Sequence, residues 1–80
     1  MSYVKMIEEI DMEKRKLYLI SMAIDLRKIL ERIIDEENIV TEKGARYPVS
    51  YLIEDMLLWV IRDPKRFKKF LEETYELTEI

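Results

Sequence analysis

The chain has 80 residues, 49% of them hydrophobic and 39% charged, with a net charge of −3. These figures predict one small folded domain and exclude both a disordered tail and a basic protein that coats nucleic acid. Cys and His are absent, which excludes disulfides, thiol chemistry and His-based zinc or general-base sites.

Gln is also absent, and Asn occurs once, at Asn38. A charged chain poor in Gln, Asn and Cys has a thermophile-like composition, from which the five Met residues depart. Lys5 is the only early positive charge and Glu8, Glu9 and Asp11 follow it, so the start of the chain has no signal-peptide pattern. The longest run without a charge, Leu17–Ile24, is too short to span a membrane. The expected location is the cytoplasm, with no membrane contact.

The first predicted element is a helix over about 2–35. Ser2 offers an N-cap, and Tyr3, Met6, Ile7 and Ile10 recur at helical spacing. Leu19, Met22, Ala23, Leu26, Ile29, Leu30 and Ile33 continue the pattern, and no Gly or Pro interrupts it. Its weak point is Asp11–Lys16, where Glu13 and Lys14 occupy the stripe. A break near Asp11, with Asp11 capping a new helix, is the alternative. Asn38 stands where a left-handed C-cap belongs. Residues 36–47 form a connector in which Gly44 permits a turn, so a short hairpin or an extended arm fits.

The second helix, about 48–62, starts at Pro48 or Ser50. It carries Val49, Leu52, Ile53, Met56, Leu57, Val60 and Ile61 on one stripe. Asp63-Pro64 ends it and opens the third helix, about 64–78, with Asp63 as N-cap and Pro64 in the first helical position. Phe67, Phe70, Leu71, Thr74 and Leu77 or Thr78 form the third helix's buried face. The fold class is therefore all-α: one long N-terminal helix and two shorter ones. Because the short helices cannot cover the long one, the expected assembly is an intermolecular helical bundle, a homodimer. Leu19, Met22, Leu26, Leu30 and Ile33 would form its seam, with Leu58 and Trp59 as a second apolar edge.

Chemistry-bearing residues are sparse. Glu31 with Asp35, and Glu72, Glu73, Glu76 and Glu79, could in principle hold a hard cation, but they lie on solvent faces and read as solvated charge. Ser2, Ser21 and Ser50 lack a His to activate them, and Ser21 is expected to bond a helix carbonyl. One Gly is too few for a phosphate-cradling loop. No catalytic residue, metal or cofactor is assigned, and the chain is read as a non-enzyme.

The third helix is electrically inverted. Residues 63–70 hold four bases and one acid, whereas residues 71–80 hold four acids and no base. This opposes the helix dipole. One explanation is an anionic partner: Arg62, Lys65, Arg66, Lys68 and Lys69 would contact nucleic acid in a helix-turn-helix-like arrangement, with Tyr47 and Tyr51 nearby. The favoured explanation is pairing within the protein, either between helices across a dimer or at i, i+4 through Lys68–Glu72 and Lys69–Glu73. The chain thus reads first as a small helical interaction or adaptor protein acting as a homodimer, with a further protein partner in view. A nucleic-acid-binding regulator is the alternative.

Overall fold

The computed structural model describes residues 2–76. Within them the chain forms four helices: α1 (Ser2–Glu8), α2 (Ile24–Glu36), α3 (Val49–Ile61) and α4 (Pro64–Tyr75). Two compact units are formed. One comprises residues 17–55; the other comprises, among the described residues, 2–16 with 56–76.

The all-α expectation holds, but the single long N-terminal helix does not. It is replaced by α1 and α2, and residues 9–23 between them adopt no helix. The chain leaves α1 at Glu9, whose N–H is shared between the carbonyls of Lys5 and Met6 at 3.1 and 3.3 Å. Asp11 caps a turn instead of a new helix. Its carboxylate accepts from the Glu13 N–H at 3.0 Å, and its carbonyl accepts from the Lys14 N–H at 3.2 Å. An Asp that bonds its own downstream backbone competes with helix formation. Glu13 and Lys14 then supply no apolar face whose burial would offset that competition. Ser21, expected to bond a helix carbonyl, is instead exposed in this non-helical stretch.

The unit of residues 17–55 contains α2, the connector and the start of α3. Its core is Leu30, Ile34 and Val49, with Met22, Ile39, Tyr47, Leu52 and Ile53 packed around them. Ile34 is the most enclosed residue, 1% exposed, although it lies off the predicted stripe. The end of α2 is a Schellman motif. Asn38 is left-handed at φ 51°. Ile39 N–H donates to the Ile34 carbonyl at 3.0 Å and Asn38 N–H to the Asp35 carbonyl at 3.3 Å. Ile39, turned inward by this motif, packs on the core beside Ile34.

The connector folds back as a minimal hairpin with one antiparallel bridge, Val40–Arg46. Gly44, at φ 82°, closes its turn by donating to the Thr41 carbonyl at 2.9 Å. Arg46 fastens the hairpin to α2. Its Nε donates to Asp35 Oδ1 at 2.7 Å, and its Nη2 donates to Asp35 Oδ2 and to the Glu31 carbonyl, each at 3.3 Å. Tyr47 reaches the other way and donates its hydroxyl to Asp55 on α3 at 2.6 Å.

The second unit contains α1, residues 56–61 of α3, and α4. The Asp63-Pro64 junction is as predicted: the Asp63 carboxylate accepts from the N–H groups of Lys65 and Arg66 at 2.9 and 3.3 Å, and Pro64 starts α4. Tyr3 of α1 meets Phe67 of α4 edge to face, their ring centres 5.8 Å apart. Helix α4 closes at Glu76, in a left-handed cap at φ 60°. The predicted continuation through Leu77 and Thr78, and Glu79, lie outside the described residues, as does the Ser2 side chain offered as a cap. On the expected buried face of α4, Phe67 and Leu71 are half-buried, whereas Phe70 and Thr74 are exposed.

Candidate functional site

The five basic residues expected to face nucleic acid are largely engaged within the chain. Arg66 lies over the Trp59 ring, 3.6 Å from its centre, and its Nε donates to the Trp59 carbonyl at 2.9 Å. Its other arm approaches the Asp63 carboxylate at 3.5 Å. Lys68 pairs with Glu72 at 3.8 Å and Lys69 with Glu73 at 4.0 Å, the i, i+4 arrangement read from the sequence. Arg62 and Lys65 are exposed. The free N–H groups that would make the α4 start attractive to phosphate already donate to Asp63. Those hydrogen bonds, Arg66 N–H foremost, hold the Asp63 carboxyl below the usual carboxylate range. The reversed charge of α4 is thus answered locally: its acids sit one turn beyond its bases.

Tyr47 and Tyr51 pack edge to face with ring centres 5.8 Å apart, and the Tyr47 hydroxyl is committed to Asp55. That hydrogen bond raises the Tyr47 pKa. The acidic pairs are similarly occupied. Glu31 binds Arg27 at 3.2 Å, and Asp35 binds Arg46, which lowers the Asp35 pKa. Among the described residues no group of three or more acidic side chains converges as a metal site would require. A concavity of about 260 Å³ in the second unit is lined by apolar side chains including Ile7, Ile61 and Phe67, and by Glu8, Arg62 and Lys68. It is smaller than most small-molecule sites.

The predicted seam residues part company. Leu30 is buried in its own chain's core. Leu26 and Ile33 are exposed, and with Ile29 they form an outward stripe along α2 at spacings of three and four. Met22 is half-buried against the core. Leu19 is 96% exposed but lies in the non-helical stretch, so it shares no helix face with Leu26. On α3, Leu58 is half-buried, whereas Trp59 is 61% exposed even with Arg66 on its ring.

Sequence reasoning missed the concentration of exposed apolar surface just before α2. Leu17, Tyr18, Leu19 and Ile20 are consecutive and all exposed, Leu17 at 88%. The signal was present as the longest uncharged run in the chain, but the helical pattern had absorbed it. No helix among the described residues is long and apolar enough to cross a membrane. The chain matches no known protein family, no curated protein and no solved structure.

Proposed function

We propose that this chain is a small, non-enzymatic helical interaction protein that works as a homodimer. The observation that carries the reading is the two-sided character of α2. Its inner face, Leu30 and Ile34, is used by its own core, while its outer stripe, Leu26, Ile29 and Ile33, stands in solvent. A single exposed Leu needs no explanation, but an apolar stripe at helical spacing marks a surface made to be covered. A second copy supplies the same stripe, and two such helices pack side by side in an isologous interface. Arg27–Glu31 and Arg32–Glu36 lie on the same helix and keep its polar surface soluble.

Analytical ultracentrifugation across a wide concentration range tests this. The expected result is a species of twice the 9.8 kDa chain mass. Ile29→Glu is expected to shift it to monomer without loss of helical circular dichroism, because Ile29 makes no part of the core. A wild-type chain that remains monomeric at high concentration overturns the reading. Nucleic-acid binding is the second reading, supported by the exposed charges of Arg62 and Lys65. It requires steeply salt-dependent binding of duplex DNA or RNA, lost in the variant with both residues changed to Glu.

A further inference from the structure

We propose that residues 17–23 of two copies pair as antiparallel strands, so that the second copy of the chain covers the exposed Leu17–Ile20 run. This rests on the homodimer reading but assigns it a different contact, made by backbone as well as side chains.

Three observations converge on the segment. First, its large side chains other than Met22, which packs on the core, stand in solvent. Leu17, Tyr18, Leu19, Ile20 and Ile24 are each more than two-thirds exposed. Together they present on the order of 600–700 Å² of mostly apolar surface, at ~150 Å² or somewhat more for a side chain of this size. A free monomer's largest apolar patch is about 300–600 Å², and each partner in a standard interface contributes about 800 Å². The segment therefore supplies most of one partner's share, and the adjoining α2 stripe supplies the remainder.

Second, its backbone is open among the described residues. Among the described residues, no backbone-to-backbone hydrogen bond involves residues 16–22. A run of free N–H and C=O groups flanked by apolar side chains is what a second strand recognises. Tyr18 and Ile20 suit a strand, and no charge, Gly or Pro interrupts Leu17–Ile24.

Third, the flanking charges select the direction. Lys14-Arg15-Lys16 precedes the run, and Asp25 follows it in the first turn of α2. Parallel pairing would set the basic triplet against its own copy. Antiparallel pairing centred on Ile20 sets Leu17 opposite Ala23 and Tyr18 opposite Met22. It brings the basic triplet alongside the second copy's Asp25, twice by symmetry.

The test combines hydrogen exchange with sedimentation on the full chain. The expected result is slow exchange of alternate amides within residues 17–23 in the dimer, becoming fast on dilution to monomer. Alternate residues of a strand point their N–H groups toward the partner, so one of Ile20→Pro and Ser21→Pro must remove a pairing bond. That variant is expected to weaken dimerisation at least tenfold. Both positions lie outside any helix, so helical circular dichroism should be unchanged. Fast exchange at 17–23 in a dimer that Ile29→Glu still dissociates overturns strand pairing and leaves the homodimer standing. So does a dimer indifferent to both prolines. Protection of 17–23 in a monomer means that the chain covers its own segment, and overturns both readings. A monomer with fast exchange at 17–23 likewise overturns both.

Discussion

At Asp63 one carboxylate opens α4 and occupies the helix start that a phosphate would otherwise use. Asp63→Ala is expected to lower the melting temperature by several degrees, and Asp63→Asn or Asp63→Ser by less, because those side chains also cap. The capped Asp63 and the Arg46-bound Asp35 both have lowered pKa values in the folded state. A depressed folded pKa gives stability that is present above the unfolded value of ~3.9 and lost as pH falls through the folded one. Acid titration followed by circular dichroism should therefore show destabilisation beginning near pH 4 and continuing below it. Asp35→Asn should flatten part of that slope. Tyr47 runs the other way: its raised pKa gives stability that is held below pH ~10 and lost as pH rises through the folded value. Tyr47→Phe should remove that alkaline dependence.

At the scale of elements, termini were more legible than lengths. Asp63-Pro64 and Asn38 announce their roles because capping chemistry is local and depends on few residues. The interruption of the first helix was legible only as the weak point at Asp11–Lys16 and the alternative of a break near Asp11, since a helical apolar pattern continues on both sides of it. What decided the matter was the Asp11 turn and the exposure of every residue from 11 to 21, and neither shows in periodicity. The same blindness placed Ile33 on the buried stripe, whereas Ile34 is the enclosed residue. The basic cluster was legible as a cluster, and its pairing with Glu72 and Glu73 followed from spacing. The Arg66–Trp59 stack needs the tight α3–α4 turn and could not be read. Two substitutions separate inner from outer faces of α2. Ile34→Ala is expected to cost about 2–5 kcal/mol by denaturant unfolding, as cavities in packed cores do. Leu26→Glu should leave the stability of the dilute, monomeric chain nearly unchanged. At the helix end, Asn38→Gly should be neutral or slightly stabilising. Asn38→Val should cost about 1–2 kcal/mol, because a branched side chain resists the left-handed conformation.

For the molecule as a whole, the fully buried side chains among the described residues all belong to the unit of residues 17–55. That unit should retain amide protection longest under mild denaturant, with α1 and α4 opening first. Ion pairs contribute little to this difference. Those of α2 and α4 are solvent-exposed, and such pairs are worth ~0–1 kcal/mol each. Adding 1 M salt is thus expected to shift the melting temperature by only a few degrees, a magnitude that screening of exposed pairs allows. If a second copy covers the apolar run before α2, the melting temperature must instead depend on protein concentration, because association stabilises the folded state by mass action. Calorimetry at several concentrations reads this directly.

The small hairpin between α2 and α3 also imposes an order of events in time. Its fastening bonds join partners close along the chain: Thr41 to Ala45, Arg46 to Asp35, Arg46 to Glu31, separated by 4, 11 and 15 positions. Closing loops of about ten residues takes on the order of 10–100 ns and little chain entropy. The register of α2 against the first turns of α3 is therefore set before any contact that must wait for the two ends of the sequence to meet. Removing the Arg46 guanidinium should slow the folding limb of a chevron plot. Removing the Phe67 ring, whose edge-to-face contact with Tyr3 joins distant parts of the sequence, should mainly speed unfolding.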